Sequence, residues 1–218
     1  MQILGKKWNI FRYLGDLSHL LSIVLLLVHM LKKKKCFGIS FKTQLLYLIV
    51  FITRYSFGLF DPPLYNIVFK IFYIVSTLFT IIMMKTVLRS ARDKKHDTFN
   101  IYFLLLICIP LAYFTSSSID IDELSWTYSL WLEAFAALPQ LFLFRRTQRL
   151  DVITNDYIFF LGMYKLFYVC NWIRKAIVKN NTDYIVWVTG IIQTLLYADF
   201  IYYYIMAFTQ GSKYKLPL

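Results

Sequence analysis

Apolar residues in this chain run in long blocks, and do not alternate with polar ones. Seven such windows stand out, at residues 13–31, 43–60, 64–88, 99–115, 124–144, 153–173 and 184–208, with short polar gaps between them. A helix rises about 1.5 Å per residue and needs about 20 mostly apolar residues to cross roughly 30 Å of hydrocarbon. The pattern therefore predicts an all-α integral membrane protein of seven transmembrane helices, a single membrane domain over 1–218 with no separate soluble part. The first window ends in Lys32, Lys33, Lys34 and Lys35 and not in a small-residue cleavage site, so it reads as a retained helix and not as a removable signal peptide.

Composition agrees with that class: 59% of the residues are hydrophobic and 19% aromatic, above the level of an ordinary soluble domain. The cations then orient the helices. They follow the first helix (Lys32, Lys33, Lys34, Lys35), the third (Arg89, Arg92, Lys94, Lys95), the fifth (Arg145, Arg146, Arg149) and the seventh (Lys213, Lys215), all on one face. Basic loops collect on the cytosolic side, which predicts a luminal N-terminus and a cytosolic C-terminus. The net charge of +12 is then a matter of topology in the lipid bilayer and calls for no nucleic-acid partner. Cys36, Cys108 and Cys170 are scattered, odd in number and without metal spacing, so neither a disulfide framework nor a metal site is expected. No cofactor is implied, and no nucleophile constellation or phosphate loop suggests an enzyme.

An internal repeat organises the windows. "GISFKTQLLYLIVFITRY" set against "VITNDYIFFLGMYKLFYV" matches Ser40 with Thr154 and Arg54 with Tyr168, and the same offset of 114 matches His19 with Glu133. This suggests a first three-helix repeat at 13–88, a linker helix at 99–115, a second three-helix repeat at 124–208 and a tail at 209–218. Two parallel three-helix bundles joined by a fourth helix is the architecture of the SWEET and PQ-loop carriers, which enclose a central polar cavity.

Ionisable residues inside the helices map that cavity. Arg54 lies in "LLYLIVFITRYSFGLF", and a guanidinium at the bilayer centre costs from about 2.5 to more than 10 kcal/mol, so it should face a polar interior. Arg12, Asp16 and His19 share one face of the first helix; Glu123, Trp126, Leu130 and Glu133 one face of the fifth; Lys165, Tyr168 and Trp172, with Tyr164 beside them, one face of the sixth. Cations in the outer half (Arg12, Arg54, Lys165 and Arg174 or Lys175) outnumber Glu123 and Glu133, with Asp16 offsetting one more. That surplus suits an anionic ligand, and arginine's fork suits carboxylates. His19 has an unperturbed pKa of about 6.5, which places its charge change in mildly acidic compartments. These residues alone leave two readings open: a receptor, or a proton-coupled small-solute transporter, the latter suggested by the dipeptide Pro139-Gln140.

Several longer motifs resemble one family. "NIFRYLGDLSHL" from Asn9, "GISFKTQLLYLIVFITRY" from Gly38, "HDTF" from His96, "LPQLF" from Leu138, "NDYIFFLGMYKLFYVCNWI" from Asn155 and "GIIQTLLYADF" from Gly190 together look like the KDEL receptors, the ER lumen protein retaining receptors. The resemblance spans almost the whole chain. It implies a Golgi-to-ER retrieval receptor, resident in endoplasmic reticulum and cis-Golgi membranes, that binds the C-terminal KDEL-like tetrapeptide of escaped luminal proteins in acid and releases it at neutral pH. By resemblance, Arg54, Tyr55 and Tyr164 hold the terminal carboxylate region, Arg12 and Lys175 the acidic side chains, and Glu123 and Trp126 the residue four from the end. Lys165 and Trp172 complete the ligand site, and His19 is the proton switch, with Glu133 coupled to Tyr164 and Lys165. Asp199, Lys213 and Lys215 would serve trafficking, the tail lysines through the COPI coat.

The family pattern is not followed everywhere. After Arg54-Tyr55 an aspartate or asparagine is usual, whereas this chain reads Ser56-Phe57-Gly58 and is one residue shorter. A peptide with a cationic first residue then loses a partner, so the signal should be less demanding of Lys there. Lys165 and Lys175 stand where arginines are more often found, retaining charge without the bidentate fork.

Overall fold

The computed structural model describes residues 10–147, 152–179 and 183–210, with side chains for all of these except 152–155, 179, 199–200 and 203–210. Among the described residues there are eight α-helices and no strand: α1 (Ile10–Lys33), α2 (Phe41–Tyr55), α3 (Leu64–Lys85), α4 (Ile101–Thr115), α5 (Ile121–Phe135), α6 (Leu138–Thr147), α7 (Val152–Lys179) and α8 (Tyr184–Gln210). Of these, α1 with 24 residues and α3 with 22 are long and apolar enough, by length and composition, to cross a membrane.

One expected helix is two. The apolar run at 124–144 is divided into α5 and α6 at Ala136 and Ala137. Pro139 supplies the reason: it has no N–H to give to the carbonyl four residues back, so the ladder lapses there. The turn tightens as Ala136 N–H bonds Glu133 O at 3.3 Å, and α6 resumes with Leu141 N–H on Ala137 O at 3.0 Å. Gln140 then ties this break to the α1–α2 connection, accepting from Ser40 N–H at 2.8 Å and donating to Gly38 O at 2.8 Å.

Other boundaries shift for local reasons. Helix α2 stops at Tyr55, before the expected end of its apolar run at 60, and residues 56–60 turn back instead. Lys70 of α3 holds that turn through the Gly58 carbonyl. Helix α7 continues past the expected 173 to Lys179, because the polar residues after Ile173 are compatible with helix even where they are not apolar.

Helices α1 and α7 pack closely along their length, α2 packs on both α3 and α5, and α8 on both α7 and α5. Gly15 permits the first contact, since a Cβ there would lie 2.7 Å from the Tyr168 ring. Polar ties cross between helices: Gln44 Nε2 to Tyr157 Oη at 2.9 Å, the Tyr47 and Tyr197 hydroxyls at 3.1 Å, and Trp131 Nε1 to Thr115 Oγ1 at 2.9 Å.

The connections at one end form a folded unit. Ser40, the N-cap of α2, donates its hydroxyl to Asp97 Oδ1 at 2.9 Å, and the Asp97 Oδ2 accepts from Phe41 N–H at 2.9 Å. Cys36 lies on the Leu88 carbonyl at 3.6 Å, and burial pushes its thiol up to about 11, as suits a packing residue and not a reactive thiolate.

Candidate functional site

The helix faces carrying the expected stripes converge on a cavity of about 220 Å³ toward the end of the bundle opposite the basic connections. His19 comes from α1, Arg54 and Tyr55 from the last turn of α2, Trp126 and Glu133 from α5, and Tyr164, Lys165, Tyr168 and Trp172 from α7. On α7 the spacing from Lys165 through Tyr168 to Trp172 is three and then four residues, which stacks the three side chains on one face.

Glu133 is the hub. Its Oε2 pairs with Arg54 Nη1, while its Oε1 pairs with Lys165 Nζ and accepts from the Tyr164 hydroxyl at 2.5 Å. The Glu133 and Lys165 side chains are only 7% and 5% exposed, so this is a buried arrangement of two cations about one carboxylate. Arg54 Nε also donates to Ser129 Oγ at 3.0 Å. The remaining Arg54 nitrogen, Nη2, is buried and has no hydrogen-bond partner among the described residues. Such an orphan is costly in a dry site, and the fork it completes is shaped for a carboxylate or phosphate.

His19 lies between two phenol rings. Tyr164 stacks on one side at 4.2 Å and 5°, Tyr73 on the other at 4.4 Å and 26°. Together with Phe51, His19 also walls a second, much smaller cavity of about 20 Å³ below, near Gln44, Thr80 and Tyr157. The two side chains thus separate the main cavity from the interior beneath it.

Three expected ligand residues do not line the cavity. Arg12, part-exposed on the first turn of α1, donates through Nη2 to Asn66 Oδ1 at 2.8 Å and has Asp16 at 3.8 Å. Asp16 in turn accepts from the Tyr65 hydroxyl at 2.8 Å and from the Tyr168 hydroxyl, so it ties α1 to α3 and α7. Glu123, in the first turn of α5, accepts from Ser117 Oγ at 2.8 Å. Lys175 is exposed three residues beyond Trp172. Lys213 and Lys215, and the side chain of Asp199, lie outside the described residues.

Several cavity residues are uncharged and escape a map drawn from ionisable groups. Tyr73 belongs to a buried stripe with Ser76, Thr77 and Thr80 at i, i+3, i+4 and i+7 of α3, and Thr189 and Gln193 form a similar pair on α8. Polar residues at helical spacing within apolar windows were the signal in the sequence. Gly190, also on the cavity wall, carried none; its role is to leave room for the Trp172 ring.

The sequence matches the family model described as ER lumen protein retaining receptor over residues 35–175. It is 41% identical over 212 residues to an ER lumen protein-retaining receptor of Entamoeba histolytica, an alignment covering 96% of this chain and 99% of that one. Identity is 42% to ER lumen protein-retaining receptor 3 of Mus musculus over 212 residues, and 42% to the ER lumen protein-retaining receptor of Petunia hybrida over 213, with the same coverage in each case. The chain belongs to the ER lumen protein retaining receptor family.

Proposed function

We propose that this protein is a membrane-embedded retrieval receptor whose central cavity binds the C-terminal, KDEL-like tetrapeptide of escaped luminal proteins. One observation carries the ligand assignment: a part-buried Arg54 whose buried Nη2 is unpartnered among the described residues, at a cavity holding two cations against one carboxylate. A peptide's terminal carboxylate would complete the Arg54 fork with Tyr55 and Tyr164 alongside. Lys165 and Trp172 would flank the chain, and Trp126 would meet the residue four from the end. Arg12, Glu123 and Lys175, outside the cavity, would engage the peptide's acidic and first side chains at the mouth.

Protonation of His19 would add a third cation to the cavity, so binding is strong in acid and weak at neutral pH. Reciprocity then requires that peptide binding take up protons from the medium. The stack of Tyr73, His19 and Tyr164 links that proton to Glu133 through the Tyr164 hydroxyl. Closure of the cavity floor by His19 and Phe51 favours a receptor over a conduit.

Membrane insertion is supported by the outer faces of the helices, which expose Leu17 and Val28 on α1, Val75 and Ile82 on α3, and Phe103 and Phe114 on α4. Such surfaces suit hydrocarbon. Helix contacts support two repeats: exchanging α1 with α5, α2 with α7 and α3 with α8 carries the α2–α3, α1–α3 and α1–α7 contacts onto α7–α8, α5–α8 and α2–α5. The residue spans 13–88, 99–115 and 124–208 are then repeat, linker and repeat. The basic end would face the cytosol, with Lys213 and Lys215 offered to the COPI coat, Asp199 coupled to transport, and the receptor moving between cis-Golgi and endoplasmic reticulum.

The test is binding of a labelled peptide ending in Lys-Asp-Glu-Leu to purified protein at acidic and neutral pH, with a C-terminally amidated control. Binding in acid that needs the free carboxylate is expected. Equal binding of the amidated peptide would overturn the Arg54 assignment.

A further inference from the structure

The end of the bundle opposite the cavity carries a second built feature. Two aspartates of the connection between α3 and α4 are turned inward: Asp97 is held by Ser40 and Phe41 N–H, and Asp93 pairs with His96 Nδ1 at 2.6 Å, leaving them 8% and 6% exposed. Among the described residues, neither carboxylate forms an ion pair with the neighbouring Lys42, Arg92 or Arg146. Topology needs only a count of cations near helix ends, yet here several are held in place. The Arg92 guanidinium lies 3.9 Å above the Phe41 ring. Arg146 lies 4.8 Å over Phe142 and donates through Nη1 to Thr98 Oγ1 at 2.7 Å.

Lys42, beside Phe41, donates to the Phe99 carbonyl at 2.6 Å, and the Phe99 ring meets Phe142 edge-on at 5.8 Å. Two arginines and a lysine thus border partly exposed aromatic rings, Phe41 on α2 and the Phe99–Phe142 pair of the 92–100 connection and α6, which Lys42 bridges. No carboxylate pairs with Arg92 or Arg146 among the described residues. Stacked guanidinium groups have already lost much of their rotamer freedom, and their free edges suit bidentate contact with phosphate. Cations bordering an apolar strip are the chemistry of a phospholipid, with phosphate on the charges and glycerol and acyl chain on the rings.

We propose that Lys42, Arg92 and Arg146, with Phe41, Phe99 and Phe142, form a binding site for an anionic phospholipid whose headgroup carries a phosphomonoester. Three cations match such a headgroup, with its diester and dianionic monoester, better than the single net charge of a phosphatidylserine. The proposal rests on the receptor reading only for placing this end at the cytosolic leaflet.

The experiment uses the full chain in phosphatidylcholine nanodiscs. Dioctanoyl phosphatidylinositol phosphate, dioctanoyl phosphatidylserine and free inositol phosphate are titrated and followed by native mass spectrometry. The phosphorylated inositol lipid should bind tightest. Arg92→Gln with Arg146→Gln should weaken it about 30-fold, while Lys32→Gln with Lys33→Gln, an equal charge loss elsewhere on this end, should leave it unchanged. Equal losses in both doubles would mean a diffuse field and overturn the site. Equal binding of free inositol phosphate would overturn the lipid assignment, and so would no preference over phosphatidylserine. Peptide binding is measured on the same samples: its retention in the arginine double shows a folded cavity, and its absence from the wild type would count against the receptor reading alone.

Discussion

Gly190 offers a sharp test of how the cavity wall is built. It lies on α8 against the Trp172 ring of α7, and a methyl group at that position would sit 1.9 Å from Trp172 Cζ3 and 2.4 Å from Cη2. Ordinary contact begins near 3.4 Å, so in Gly190→Ala the ring edge must retreat by about 1.5 Å, or the two helices must part. Overpacking of this kind costs about 1–3 kcal/mol, equivalent to roughly 5- to 150-fold in an equilibrium constant. If the ring swings, the cost falls on peptide binding; if the helices part, it falls on stability. The assay is peptide titration at acidic pH by tryptophan fluorescence, alongside thermal melts in detergent. Either affinity falls at least about fivefold or the melting temperature drops. Gly162→Ala is the control in the same interface: its methyl would meet the flexible end of Ile201 at 2.9 Å, away from the cavity, so affinity should be unchanged. Adding Trp172→Leu to Gly190→Ala should restore the melting temperature without restoring affinity. Wild-type affinity and melting temperature in Gly190→Ala would refute the reasoning, because the close approach would then not position the ring.

Arg54→Ala should abolish peptide binding at every pH, whereas His19→Ala should bind with a flat pH profile; a His19 variant that keeps the acid preference would remove the switch from that residue. Glu133→Gln leaves Arg54 and Lys165 buried without their anion and should cost about 3–5 kcal/mol, read as a lower melting temperature that saturating peptide, bringing its own carboxylate, partly restores. Asp97→Ala strips the acceptor from the Ser40 hydroxyl and Phe41 N–H and should cost about 1–3 kcal/mol, with faster amide exchange at Phe41 as the local signature. Peptides varied at the position four from the end should show a shallower preference for Lys than relatives with an acid after the Arg-Tyr pair, measured as a ratio of dissociation constants.

Much of the site was legible because helical spacing says which side chains share a face. Arg54 was an anomaly in an apolar run, and the α1, α5 and α7 stripes pointed to a partner for it; Glu133 is that partner, shared with Lys165. Arg12 and Glu123 share those stripes with cavity residues yet lie outside the cavity, since a stripe continues along a helix past the end of the space it borders. The division at Ala136 followed from a visible Pro139, but hydropathy, being a sum over side chains, does not register one missing N–H.

By itself, then, the sequence determined the all-helical class, the approximate helix count, the basic end and the identity of the charges that line the cavity, because these depend on local composition and the 3.6-residue period. Only the tertiary structure decided that one carboxylate serves both Arg54 and Lys165, that Tyr73 and Tyr164 enclose His19, and that Gly190 seats Trp172. Those contacts join residues far apart in the chain, and they depend on the rotation and axial offset of one helix against another. That relation is set by close packing at points such as Gly15 on Tyr168, which no single helix's pattern contains.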